Sequence, residues 1–565
     1  MIVLLGSVCL LVGCLLSTLG ACISCDRLTK RIFDRLCVSI YLLNILILVA
    51  LVRSDFSLSY VFNHSHSQLS YGMKIAALWG ASSGTWLLMI GLFTLWCHAL
   101  SSKLHTFNYL WLRYVMGFLA LMLWGLYLID SPFSANMLPV SQGLDLNPLL
   151  QDTGMMIHPP ILLAGYVGSM VPFFLGKAGD SQEIRVVLRQ QLRIAFSLLT
   201  LGILLGAWWS YRVLGWGGYW AWDPVENASL LPWAMLLIML HTLKQRLDAK
   251  FLFLAWLSAW LTLIAMMTVR SGMLESVHAF SLSTMAGLFF TGLVVVFFAV
   301  GLFDRDAWPN ARAIVRSDPV AKLWLIFVCV MLSTLLLPPI LSSKGLYIIA
   351  PSFYQYVIPL WLCYLLSALQ SMQKKRVIWT LLAFVFLLFW YYANWVLGAF
   401  VLTLALGALV ELRAQNWRMR LVHGGFILMC IFICLHAVTQ QSVVYTLGAG
   451  SEVAVAQDID LRFDHLNYYE NGHVSVYEAQ LSLFEYGDQL SLKPKLRYHP
   501  SRDMVVAKPD LFVGLFREWY VTLNEVDEQG TAIITLQKHY YLRIVLLSVL
   551  FMISGLLLRR NAYEN

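Results

Sequence analysis

The stretch from Trp216 to Trp233 reads WGGYWAWDPVENASLLPW, with Trp208 and Trp209 just before it. Trp216, Tyr219, Trp220, Trp222 and Trp233 crowd together, while Gly217 and Gly218 remove side chains that would hinder close approach. Large rings with a polar edge can stack on a planar ligand such as a porphyrin. The same residues suit the aromatic belt of a membrane boundary, and composition leaves both readings open. Asp223 and Glu226 bring two carboxylates into the stretch. Asp-Pro-x-Glu is also capping-box spacing with proline at the first helical position, so the pair serves either to start a helix or to do chemistry.

Iron in a porphyrin is commonly held by imidazole, so the 13 histidines are sorted next. His158 precedes an apolar run beginning at Pro160, and His278 lies between two later runs. Topology puts both on the side of the tryptophan-rich loop, where they flank it as ligands or bond to backbone and water. His241 follows Pro224 by 17 positions on one expected helix, which at 1.5 Å per residue is roughly 25 Å deeper. His423 enters a later run three residues after Arg420. Two histidines at matching depth on different helices could hold a second porphyrin inside a bundle. His98, five residues from Lys103, meets the same depth argument. Arg212 and Arg270 fall at the outer edges of runs, where a guanidinium pairs with carboxylates or snorkels.

The elements that position these residues are membrane helices. Of 565 residues, 59% are hydrophobic and 12% charged, against about 25% charged in soluble domains. Apolar runs long enough to cross about 30 Å of hydrocarbon number about fifteen, the first at Ile2–Ala21 and the last at Tyr541–Leu558. The pair meeting near Tyr391–Trp395 is also compatible with one broken helix. The net charge of +8 resides in clusters such as Lys30/Arg31/Arg35, Arg185/Arg189/Arg193, Lys374/Lys375/Arg376 and Arg559/Arg560. These fall on alternating loops, which is the positive-inside pattern and gives no basic face for nucleic acid. The expected orientation has the N-terminus outside, the C-terminus in the cytoplasm and the tryptophan-rich loop outside. The fold class is thus an all-α polytopic membrane protein with a small β-rich extracytoplasmic domain. The expected divisions are a bundle over 1–440 with the tryptophan-rich loop at 208–233, the outer domain over 441–538, and a last helix and tail over 539–565. Within the outer domain, alternation in Val474–Leu483 and a hairpin of Tyr520–Val526 and Thr531–Leu536 around Gly530 mark strands.

Cys22-Ile-Ser-Cys25 is followed by Asp26, which excludes a covalent haem-attachment motif. Leu11-Val12-Gly13-Cys14 imitates a lipoprotein cleavage site, but no Lys or Arg precedes it, so the first run is read as a retained helix.

The tryptophan-rich segment resembles the WWD signature of the haem-handling proteins of cytochrome c maturation. Leu146-Asn147-Pro148-Leu149-Leu150-Gln151-Asp152 with His158-Pro159-Pro160, and Arg270-Ser271-Gly272 with Ser276-Val277-His278-Ala279-Phe280, are similar to the CcmF family of cytochrome c haem lyase subunits. Pro500-Ser501-Arg502 and Arg517-Glu518-Trp519-Tyr520-Val521 resemble pieces of that family's outer domain. The resemblance implies that His158 and His278 hold a transient haem substrate at the outer face, on a platform including Trp216, Trp220, Trp222, Asp223, Glu226 and Arg270. It implies that His241 and His423, in Leu240-His241-Thr242-Leu243 and Leu421-Val422-His423-Gly424-Gly425, ligate a transmembrane haem b, whereas His98 matches nothing in the family. The implied activity is thioether attachment of haem to the Cys-x-x-Cys-His segment of apocytochrome c at the bacterial inner membrane. Implied partners are a haem chaperone of the CcmE type, apocytochrome c, CcmH/CcmI-type presenting subunits, membrane lipid, and quinol as an electron source. Trp79-Gly80-Ala81-Ser82-Ser83-Gly84 departs from the family, which carries His-Glu before the second glycine. The alternative reading is a haem-presenting or haem-transporting membrane protein without ligation activity.

Overall fold

The computed structural model describes residues 1–104, 109–137, 140–243, 247–271, 276, 283–303, 324–329, 331–333, 335, 416–472 and 474–558. They form two compact units, one of residues 1–147, 155–203 and 221–355, the other of 148–154, 204–220 and 356–565.

The first unit is helical. In chain order its helices are α1 (Ile2–Cys22), α2 (Asp26–Arg53), the short α3 (Ser59–His64) and α4 (Tyr71–Ala76), α5 (Ser82–Ser101) and α6 (Leu110–Ile129). There follow α7 (Thr153–Gly176), α8 (Gln182–Val213), whose residues from Leu204 onward belong to the second unit, α9 (Pro224–Thr242), α10 (Ala249–Ser271) and α11 (Thr284–Phe303). Among the described residues, eight helices are long and apolar enough to cross a membrane: α1, α2, α5, α6, α7, α8, α10 and α11. The chain is a polytopic membrane protein. The runs expected at Tyr354–Leu369, Val377–Tyr391 and Trp395–Leu412 lie outside the described residues.

Three helices begin well before their apolar runs, α8 at Gln182 rather than near Ile194. Helix α2 starts at Asp26 rather than near Cys37, because Ile32, Phe33, Leu36, Ile40, Leu43 and Ile47 recur at three- and four-residue spacing and are all buried. Helix α7 starts at Thr153 and carries Pro159, Pro160 and Pro172 inside it, so His158 lies within the helix rather than ahead of it. Each proline removes an N–H that would bond the carbonyl four residues back. The indole of Trp79 donates instead to the Met155 carbonyl left open by Pro159, at 2.6 Å. The amide of Gln191 likewise donates to the Gly168 carbonyl left open by Pro172, at 2.7 Å. Helices α7 and α8 then approach through glycine. A Cβ on Gly165 would stand 2.6 Å from the Leu199 backbone, and one on Gly202 2.6 Å from the Leu162 backbone.

The second unit joins α12 (Trp417–Thr439) and α13 (Leu542–Leu557) to ten antiparallel strands lying between them in the chain. Strands β1 (Gln441–Leu447), β10 (Ala532–Tyr540), β9 (Arg517–Val526) and β8 (Asp510–Val513) form one sheet in that order. The other runs β2 (Glu452–Ala456), β3 (Ile459–Asn471), β4 (Val474–Glu485), β6 (Lys495–His499), β7 (Met504–Lys508), with β5 (Asp488–Leu492) also on β4. Leu461, Phe463, Leu481 and Leu483 from one sheet share a core with Trp519, Val521, Leu523, Ile534 and Leu536 from the other. Alternation by two puts these on the inner faces. The β9–β10 hairpin pairs Val526 with Ala532, and Asp527 accepts the N–H groups of Gln529 and Thr531 to close its turn.

Candidate functional site

The tryptophan-rich loop leaves α8 at Val213 and meets strands of the second unit. The Thr522 hydroxyl donates to the Gly215 carbonyl at 3.1 Å, and the Gln537 amide to the Trp216 carbonyl at 3.1 Å. Gly217 has φ +74°, and any side chain there would run into Gln537. Pinned in this way, Trp216 donates its indole N–H to Ser210 at 3.3 Å and stays 42% exposed.

In the first unit the loop ends at a helix cap. Asp223 accepts the Val225 N–H at 2.8 Å and Glu226 returns to the Asp223 N–H at 3.2 Å, completing the capping box of α9. Glu226 also accepts the Ala221 N–H at 2.8 Å. Asp223 further accepts the Ser276 hydroxyl at 2.8 Å, and Asn227 donates to the Trp222 carbonyl at 2.9 Å. Trp222, between these partners, sits at φ +56° in the left-handed region. That conformation costs a bulky residue about 1–3 kcal/mol, and the surrounding bonds hold it. Both carboxylates therefore have a structural role.

Three of the four histidines singled out lie among the described residues; His278 lies outside them. His158 Nδ1 bonds the Gly202 carbonyl on α8 at 2.8 Å, within reach because α7 and α8 touch through glycine. His241 Nδ1 bonds the Leu237 carbonyl at 2.8 Å and His423 Nδ1 the Met419 carbonyl at 3.1 Å, each one turn back. A carbonyl only accepts, so Nδ1 carries the proton and Nε2 is the basic nitrogen in all three. That is the tautomer and ring anchoring of a metal-ligating histidine, so these residues fit haem ligation. His241 belongs to the first unit and His423 to the second. His98 bonds the Tyr41 hydroxyl at 3.0 Å.

Arg270 is 9% exposed. Its partners are invisible to sequence spacing: Asp130, just past α6, and Tyr60 on α3 both feel its charge. Burial raises the Asp130 carboxyl above the usual carboxylate range, while the Ser83 hydroxyl and Arg270 work the other way. Ser83 belongs to the stretch that stands in place of the family's His-Glu.

The second unit also holds an aromatic cluster that spacing does not single out. His436 stacks on His539 with centroids 5.3 Å apart, Tyr211 meets His539 at 5.3 Å, and Tyr219 meets His436 at 5.3 Å. His436 Nδ1 bonds the Tyr540 carbonyl at 2.9 Å, and the Tyr211 hydroxyl donates to Glu518 at 3.3 Å. His539 is 1% exposed, and neither ring nitrogen has a partner among the described residues. Burial, reinforced by His436, holds its pKa down at about 3. The available signal was two histidines at the ends of the segments bounding the β-rich region, which periodicity does not pair.

A family profile described as Cytochrome C assembly protein matches residues 79–278. The probable cytochrome c-type biogenesis protein NrfE of Escherichia coli K12 is 31% identical over 84% of this chain and 84% of its own. The cytochrome c-type biogenesis protein CcmF of Pseudomonas fluorescens is 30% identical over 84% of this chain and 82% of its own. The chain belongs to the CcmF/NrfE family of cytochrome c-type biogenesis proteins. A solved structure titled Cytochrome c Heme Lyase CcmF covers 98% of this chain and 96% of its own, with TM-score 0.73 at 20% identity, and shows the shared fold. His158, the loop through Glu226, His241, Arg270 and His278 all lie inside the window matched by the profile, and His423 lies beyond it.

Proposed function

We propose that this CcmF/NrfE-family chain is the haem lyase component of a cytochrome c maturation system in a bacterial inner membrane. It receives haem from a CcmE-type chaperone and promotes thioether attachment to apocytochrome c presented by CcmH/CcmI-type subunits. The observation that carries the reading is the shared tautomer of His158, His241 and His423, each with Nδ1 on a backbone carbonyl and Nε2 as the basic nitrogen. The reaction adds each cysteine S–H of a Cys-x-x-Cys-His segment across a haem vinyl group, forming a C–S and a C–H bond. The protein's part is to position the substrate and tune its iron.

His158 and His278 would hold the iron of the substrate haem. The glycine-mediated contact of α7 with α8 keeps the His158 ring from turning, through the Gly202 carbonyl. Trp216, Trp220 and Trp222 present apolar faces to the macrocycle, and the Asp223/Glu226 cap holds Trp222 where it is. Arg270 supplies positive charge at the outer edge of α10. His241 and His423 would hold a resident b-type haem, which would supply reducing equivalents to keep the substrate iron ferrous, with quinol as the electron source.

The test is a reduced-minus-oxidised spectrum with a pyridine haemochrome assay on the detergent-purified chain. The wild type is expected to carry non-covalent b-type haem that His241→Ala and His423→Ala each remove. Haem unchanged in both variants would sink the deep pair. A chain that carries haem but fails to support c-type cytochrome maturation in a host lacking its own lyase would point instead to haem presentation or transport.

A further inference from the structure

Strands β6 and β7 carry cations that nothing described so far uses. They pair antiparallel with Arg497 opposite Val506 and Lys495 opposite Lys508. Alternation by two therefore puts Lys495, Arg497 and Lys508 on one face. Lys495 is taken up by an ion pair with Glu478. Arg497 is not: its Nε is buried with no hydrogen-bond partner among the described residues.

Arg212, near the end of α8, completes the group. Its guanidinium lies 4.6 Å over the Trp208 ring and donates to Asp152 at 3.2 Å. Asp152 is 9% exposed and its charge reaches both Arg497 and Lys508. Burial, with Arg497 and Arg212 as like-charged neighbours, pulls Lys508 below its usual ammonium range, and Asp152 only partly opposes this. The set of Arg212, Arg497, Lys508 and Asp152 comprises three cations and one carboxylate, all in the second unit, and leaves two positive charges uncompensated. All three cations are half-buried, so the spare positive charge is open to an anion from solvent. The place adjoins the tryptophan-rich segment through Arg212 itself, whose guanidinium covers Trp208, and the 148–150 turn beside Asp152 packs against β7.

We propose that Arg212, Arg497 and Lys508 form a dianion site that takes the two carboxylates of a tetrapyrrole whose ring lies on the Trp208–Trp216 surface. The outer β-rich region thus supplies binding residues for the substrate. This rests on the haem-handling reading above. Two propionates match the two spare charges, and a planar guanidinium binds a carboxylate through two parallel bonds. A lipid phosphate shares this chemistry.

The test uses the full chain in phosphatidylcholine nanodiscs, titrated with protoporphyrin IX and with its dimethyl ester, followed by porphyrin and tryptophan fluorescence. Wild type is expected to bind the diacid about tenfold or more tighter than the ester, because the ester has no carboxylates for the cations to hold. The double variant Arg497→Gln/Lys508→Gln is expected to lose that preference while keeping its ester affinity. Arg497→Lys/Lys508→Arg, which conserves charge, should retain most of it and guards against a folding artefact. Equal wild-type affinity for the two porphyrins, or a preference that survives in the Gln double variant, overturns the site. So does a double variant that loses only thermal stabilisation by phosphatidylglycerol, which would assign the cations to lipid phosphate. Failure of both porphyrins to bind also overturns the site, whereas the haem-handling reading, which rests on iron ligation, stands or falls with the haem spectrum above.

Discussion

The carboxylate of Glu226 holds the backbone on both sides of Trp222, accepting the N–H of Ala221 at 2.8 Å and of Asp223 at 3.2 Å. Trp222 is thereby kept at φ +56°. Glu226→Ala removes both bonds and is expected to cost about 1 kcal/mol of local stability, as loss of a cap does. Hydrogen exchange over residues 221–227 should accelerate. Trp222→Gly is expected to relieve the backbone and match or exceed wild-type thermal stability, yet impair cytochrome maturation through loss of the ring. A Trp222→Gly chain as active as wild type would remove Trp222 from the platform.

The Gly202 carbonyl sets the His158 ring, and the approach that permits this leaves no room for a methyl group. Gly202→Ala should therefore push α7 from α8, costing about 1–3 kcal/mol as overpacking does. Maturation is expected to fall toward the level of His158→Ala while b-type haem content stays at wild type. Loss of b-type haem in Gly202→Ala would mean that the α7–α8 contact supports the whole bundle rather than one ligand.

His539 gives the second unit an acid-sensitive element. Its pKa falls from the ordinary imidazole value of about 6.5 to about 3 on folding, because burial and the neighbouring His436 disfavour the charged ring. The unfolded chain therefore binds more protons between these values. The stability is fully present above about pH 6.5 and is lost as pH falls toward 3, at up to about 1.4 kcal/mol per unit. His436 stacks on the ring, Tyr211 and Tyr520 edge it, and the Glu518 carboxyl, raised by burial, is bonded to Tyr211. Melting temperatures of wild type and His539→Phe between pH 7.5 and 5 check the point. The wild type should lose stability on acidification over this range, and the variant should be flatter. Parallel curves would discount His539.

Much of the helical framework was legible because apolar runs of membrane length have few other uses. The runs at Ile2, Tyr109 and Leu421 lie within a few residues of the helix starts at Ile2, Leu110 and Trp417. Helix α2 was underestimated because its first turns are amphipathic, and its signal lay in the spacing of Ile32, Phe33 and Leu36 rather than in hydropathy. The start of α7 was hidden by Pro159 and Pro160; their cost is offset in part by the Trp79 indole, which is far off in sequence. The Asp223/Glu226 cap was readable from four residues. The left-handed Trp222 was not, since tryptophan has no preference for that conformation. His539 with His436, and Arg497 with Arg212, meet only through long-range folding, and no local period links them.

Arg270 and Asp130 make a last test, because the buried Arg270 is close enough for its charge to act on the half-buried Asp130 carboxyl. If the two charges interact, removing both costs less than the sum of removing each alone. A double-mutant cycle of Arg270→Leu and Asp130→Leu, read by melting temperature, is expected to show coupling of at least about 1 kcal/mol. The double variant should recover stability relative to either single one, and recovery should not extend to function. If Arg270 also serves substrate haem, the double variant folds but still fails to mature c-type cytochromes. Recovery of maturation together with stability would make Arg270 a structural cation only.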